Sequence, residues 1–130
     1  MSPEAFHPFI TNFPMNRENR IDSLFVRLQT EGRPAMIAYI TGGDPTLAAS
    51  AKVALAMEQS GVDLLELGIP FSDPLADGAT IQAAAGRALA AGASVPGILD
   101  LVREIRKSSQ IPIVLFAYLN PVYILSLIHI

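Results

Sequence analysis

The chain has 130 residues, of which 51% are hydrophobic and 16% charged, with a net charge of −3 and no cysteine. That length allows one domain with a real core, and that composition is globular rather than disordered. A mildly acidic chain without a basic run argues against nucleic acid, and the lack of cysteine excludes disulfides and thiolate metal sites and fits a reducing cytoplasm.

Residues 1–17 contain three prolines and no hydrophobic period, so they read as a loose leader. No basic segment precedes an apolar one there, and Glu4 and Glu18 do not suit a transit peptide. Ile21, Leu24, Phe25 and Leu28 recur at helical spacing, and Gly32 ends that helix. Residues 34–40 are predicted as the first buried strand, with Thr41-Gly-Gly-Asp-Pro45 as its turn. Asp44 is expected to cap the helix that follows. That helix presents Leu47, Ala51, Ala54 and Leu55 on one face and stops at Gly61. The second strand spans residues 64–67 and the next helix residues 80–91, closed by Gly92. Ser94 is an N-cap for a further helix with Ile98, Leu101, Val102 and Ile105 inward. The third strand covers residues 111–117. Residues 124–130 are apolar and uncapped, and are assigned no role; no stretch of the chain reaches the ~18 apolar residues of a membrane span.

Near-continuous apolar strands alternating with helices predict an α/β fold with a parallel sheet. The pattern alone suits a doubly wound sheet and a β/α barrel equally.

The segment from Glu66 to Asp77 carries the chemistry. Glu66 closes the second strand, where a carboxylate is costly unless paired or used. Asp77 lies on the loop beyond it, and two acids in differing environments can divide acid and base work. Read singly, each has a plainer use: Glu66 as a structural ion-pair partner, and Asp77 as a turn or helix-start residue. Asp73 reads as an Asx-type turn residue. Tyr39, Thr41, Phe116 and Tyr118 stand at strand exits, where aromatics commonly fill a core. Gly42-Gly43 is a turn rather than a phosphate loop, since no Lys-Ser/Thr follows. His7 and His129 lie in the leader and the apolar tail, so neither is expected to be a ligand or base, and no metal constellation is present.

The run Glu66-Leu-Gly-Ile-Pro-Phe-Ser-Asp-Pro-Leu-Ala-Asp-Gly78, followed by Ala-Thr-Ile-Gln82, resembles the signature of the tryptophan synthase α-chain family. Tyr39-Ile-Thr-Gly-Gly-Asp-Pro45 and Pro112-Ile-Val-Leu-Phe-Ala-Tyr-Leu-Asn-Pro-Val122 resemble the same family's first and third strands. The resemblance implies the N-terminal part of a (β/α)8 TIM barrel, with three of its strands, over residues 18–123. It also implies retro-aldol cleavage of indole-3-glycerol phosphate to indole and glyceraldehyde 3-phosphate, a lyase step of L-tryptophan biosynthesis. Glu66 would then be the acid and base, and Asp77 the partner of the indole N–H. Tyr39, Thr41, Phe116 and Tyr118 would border the substrate, with Tyr39 where phenylalanine is expected. Pro70, Phe71, Ser72, Asp73 and Pro74 would meet a β subunit in an α2β2 assembly. No cofactor is implied in this chain; pyridoxal phosphate belongs to the β subunit. Eight strand–helix units need ~250 residues, and barrel phosphate sites come from the loops after strands seven and eight. The first alternative is therefore an inactive truncated fragment that at most contacts the β subunit. A weaker one is another phosphate-binding barrel isomerase of the same pathway.

Overall fold

A helix is nucleated at Asn19, whose side-chain oxygen accepts from the Ile21 and Asp22 N–H groups at 3.0 and 2.9 Å. The computed structural model describes residues 19–128, and the backbone only over 125–128. The predicted leader, His7 and His129 lie outside the described residues.

The first helix, α1 (Arg20–Glu31), ends at Gly32 in a left-handed conformation, φ 67°, as its glycine predicts. Leu24 and Leu28 are buried, whereas Phe25 falls off the packed face and is exposed. The first strand, β1 (Ile37–Thr41), starts later than the sequence suggests. The reason is chemical: the Met36 N–H donates to the Asp63 carboxylate at 2.9 Å and is not free for a ladder. Helix α2 (Leu47–Gln59) follows, then β2 (Leu64–Gly68), α3 (Ala79–Ala90), α4 (Val95–Arg106), β3 (Ile113–Phe116) and α5 (Leu119–Ile128). Ser94 caps α4 as expected, accepting from the Gly97 N–H at 3.3 Å. The third strand is also shorter than predicted, because the Ile111 N–H turns to Ser109 Oγ at 3.0 Å and Pro112 has no N–H to give. Residues 119–128, given no role from sequence beyond residue 123, are helical, and Leu119, Val122, Tyr123 and Ile124 are exposed on that helix.

The three strands form one parallel sheet in the order β1-β2-β3. Tyr39 lies beside Glu66 and Glu66 beside Val114; one level on, Thr41, Gly68 and Phe116 share a row. Side chains alternate across a strand, so these two rows share one face, and Leu65 and Leu67 point to the other. On that other face Leu65 and Leu67 pack with Ala51 and Ala54 of α2 and Ile98, Leu101 and Ile105 of α4, all buried. Helix α1 covers the lower part of the first face, where Leu24 and Leu28 meet Leu64 and the half-buried Val114. The upper part of that face stays open, and it carries Glu66. Among the described residues, no single helix is long and apolar enough to cross a membrane.

Candidate active site

Strand β2 delivers Glu66 half-buried to the open face, with its β1 and β3 neighbours Tyr39 and Val114 on either side. Among the described residues, its carboxylate has no ion-pair or hydrogen-bond partner. The structural ion-pair use open to a strand-end acid is thus not taken up there.

Beyond Gly68 the chain runs through residues 69–78 before α3. This loop is held by backbone bonds: Leu75 N–H to Asp73 O at 2.9 Å, and Asp77 N–H to Pro74 O at 3.0 Å. Asp73 therefore contributes its carbonyl, with no side-chain bond of an Asx turn among the described residues; its carboxylate is exposed. Nor does Asp77 cap α3, whose N-cap is Gly78 with no side-chain hydrogen bond. Gln82 Nε2 donates to the backbone oxygen of Asp77 at 2.8 Å, which fixes the loop against α3. Among the described residues the Asp77 carboxylate has no hydrogen-bond or ion-pair partner.

That side chain borders a cavity of about 150 Å³ lined by Tyr39, Ile69, Ala76, Asp77, Phe116, Ala117 and Tyr118. Three of the aromatics expected at strand exits thus meet at one acid. Tyr39 and Phe116 pack edge to face at 6.2 Å, and Phe71 lies against Tyr118 at 5.3 Å. The Ala76 N–H donates to the Tyr118 hydroxyl at 3.0 Å, tying the loop to the end of β3. A mostly apolar cleft with one carboxylate suits a flat ring bearing a single N–H. Thr41 does not line this cavity: it is 7% exposed, and its Oγ1 is 3.3 Å from the Tyr39 hydroxyl. Glu66 does not line it either.

Two ion pairs were not foreseen as such. Asp44 is not a helix cap; Thr46 caps α2, accepting from the Ala49 N–H at 3.1 Å. Asp44 instead takes both arms of Arg87 on α3, at 2.9 and 2.6 Å, which holds its carboxyl below the usual range. This clamps the β1 exit loop to the helix after Asp77. At the opposite end of β2, Asp63 is 8% exposed and accepts from Arg33 Nη1 and Nη2, both at 2.8 Å, besides Met36. Those bonds keep its carboxyl far below the ordinary carboxylate range. The only sequence sign of Asp63 is a charge at the head of an apolar run, and its partner lies 30 residues upstream.

No group of three or more His, Cys, Asp or Glu that could hold a metal occurs among the described residues.

Residues 25–127 match the family model described as tryptophan synthase alpha chain. A tryptophan synthase alpha chain of Citrifermentans bemidjiense is 50% identical over 105 residues, covering 81% of this chain and 39% of its own. The alpha chain of Caldanaerobacter subterraneus subsp. tengcongensis is 52% identical over 105 residues, covering 81% and 40%. Among solved structures, tryptophan synthase subunit alpha of Legionella pneumophila superposes with a TM-score of 0.82 at 39% identity, over 84% of this chain and 42% of that one. Tryptophan synthase of M. tuberculosis in an aminoacrylate-bound form gives 0.78 at 34% identity, over 85% and 44%. The chain thus spans about two fifths of the length of the curated relatives it matches. With its motif, its three-stranded parallel sheet and these likenesses in agreement, the chain belongs to the tryptophan synthase alpha chain family, as an N-terminal part of its α/β barrel.

Proposed function

We propose that this chain carries the acid pair of a retro-aldol lyase that cleaves indole-3-glycerol phosphate to indole and glyceraldehyde 3-phosphate. The observation that carries the reading is Asp77: half-buried, not spent on a helix cap, and bordering a cavity walled by Tyr39, Phe116 and Tyr118. An indole ring lies flat against such walls, and its N–H donates to the carboxylate. Positive charge that develops on the ring is stabilised by that anion more than by a neutral amide. Glu66, on the same sheet face, gives its proton to ring C3 and takes one from the hydroxyl of the adjacent side-chain carbon. The carbon–carbon bond then breaks, its electrons returning to the ring, and the aldehyde departs. No cofactor enters these steps in this chain.

Loop residues Pro70, Phe71, Ser72, Asp73 and Pro74 are the proposed contact with a β subunit, which would hold pyridoxal phosphate and consume the indole. Exposure of Ser72 and Asp73 at the tip of the loop supports this assignment. The second reading, that the 130-residue chain is inactive by itself, is favoured by the open barrel face, where Phe116 is 56% exposed.

The test joins residues 19–123 to the remaining part of a relative's chain and measures indole released from indole-3-glycerol phosphate. Glu66→Gln abolishes release with the fold intact, and Asp77→Asn lowers it less, since an amide oxygen still accepts the ring N–H. Near-normal turnover in the Glu66→Gln chimera would sink the assignment.

A further inference from the structure

The two acids share a sheet face, yet only Asp77 borders the aromatic cavity. The separation has a visible cause in the side chain of Tyr39. Tyr39 stands beside Glu66 in the register, one row below Thr41, Gly68 and Phe116. Its ring leans up and across onto Gly68. A Cβ built on Gly68 would sit 2.1 Å from Tyr39 Oη, 2.7 Å from Cζ and 2.9 Å from Cε2. The only glycine of that row is therefore a seat, filled by the ring of the row below. On one side the hydroxyl meets Thr41 Oγ1 at 3.3 Å, and on the other the ring packs edge to face on Phe116.

We propose that Tyr39 is a gate: seated on Gly68, its ring stands between Glu66 and the aromatic cavity, and Glu66 joins that cavity only when the ring leaves its seat. The seat is weakly held. One hydroxyl contact and one aromatic edge hold the ring there, enough to keep it seated against a bare ring such as indole and few enough for a larger ligand filling the barrel site to displace it. Tyr39 is thus a positioning residue, acting through Glu66. Its meaning for catalysis rests on the reading proposed above; the seat itself does not.

Solution NMR of the 130-residue chain, carbon-13 labelled, separates the two claims. Without ligand, the Tyr39 ring protons give strong Overhauser contacts to the Gly68 Hα protons, and Gly68→Ala abolishes them. Their absence in the unmutated chain overturns the gate. Indole is then added as the probe. The expected result is that Asp77 and Tyr118 signals shift in the unmutated chain and in Gly68→Ala, and at higher indole concentration in Tyr39→Ala, which removes one wall, while the Glu66 carboxyl carbon shifts only in Gly68→Ala and Tyr39→Ala. Equal Glu66 shifts with and without the substitutions overturn the gate, as does a silent Glu66 in both variants while Asp77 responds. Indole that perturbs nothing in any variant contradicts the indole reading, and the Overhauser contacts alone then decide the gate. Should Gly68→Ala lose its dispersed spectrum, Tyr39→Ala, which adds no atom to β2, carries the comparison.

Discussion

Asp63→Asn tests how the lower end of the sheet is held. The carboxylate accepts three hydrogen bonds, two from Arg33 and one from the Met36 N–H, all between 2.8 and 2.9 Å. An asparagine keeps one acceptor oxygen and turns its NH2 group toward guanidinium N–H donors, so at least one charge-assisted bond is lost. Such bonds are worth about 1.5–3 kcal/mol each, and breaking a buried pair costs about 3–5 kcal/mol. Arg33 is 44% exposed at its side chain and rehydrates when released, which moves the expectation to the lower end, about 2 kcal/mol. With a urea dependence of about 1–3 kcal/mol per molar, the midpoint falls by roughly 1 M. The effect is linked to pH. Because the folded carboxyl titrates far below its unfolded value of about 3.9, its stabilisation is complete above that value. It fades as pH falls toward the folded pKa. Urea unfolding followed by far-ultraviolet circular dichroism should show a constant gap between the two chains from pH 5 to 7, narrowing below about pH 4. A gap under about 0.5 kcal/mol at pH 7, or one that does not change in acid, would refute the reasoning.

Gly43 has φ 90° in the β1 exit loop, and a Cβ there would lie 2.6 Å from the Ala93 Cβ. Gly43→Ala should destabilise by about 2–4 kcal/mol from left-handed strain plus the clash, read as a lowered thermal midpoint. Ile98 is 0% exposed between α4 and the sheet, so Ile98→Ala should cost about 2–5 kcal/mol in the same melts, with loss of near-ultraviolet signal. The 130-residue chain alone should release no indole from indole-3-glycerol phosphate, since barrel phosphate sites are built from the loops after strands seven and eight. Release at the rate of a full-length relative in a coupled assay would overturn that expectation.

What the sequence made legible was whatever depends on neighbours along the chain. Ser94 as a cap, Gly32 as a helix stop and the apolar stripe of Ile98, Leu101 and Ile105 need only local spacing, and all three appear in the fold. The strand starts failed by two or three residues because side chains took the backbone donors: Ser109, two residues back, claims Ile111, and Asp63, a partner distant along the chain, claims Met36. Asp44 failed for the same reason, since Arg87 lies 43 residues away and a closer residue, Thr46, does the capping. The motif put Asp77, Tyr39, Phe116 and Tyr118 in one neighbourhood, and they share one cavity. Glu66 standing outside it was not legible, because that follows from a side chain of β1 lying across a glycine of β2.

The acids of this chain divide along the strands. At the N-terminal end of β2, Asp63 is buried, fully bonded and held charged by Arg33, with Arg27 at 3.9 Å as a further cation. At the C-terminal side, Asp44 is clamped by Arg87, so it too serves structure. Glu66 and Asp77 are half-buried and lack such a partner among the described residues, and an unpartnered, half-buried carboxylate is a standing cost in desolvation. A fold that bonds its neighbouring acids so thoroughly could have bonded these. In barrels the strand ends bearing chemistry and those bearing stability lie on opposite faces. Asp63, just before β2, is bound to a guanidinium, and Glu66, three residues on, is left open, which is what the proposed division between stability and chemistry requires. Substituting Asp63 should therefore move stability and leave any ring binding unchanged, while Asp77→Asn should do the reverse. Indole titrations and urea melts on the same two variants measure both, and a loss of binding in folded Asp63→Asn would break the division.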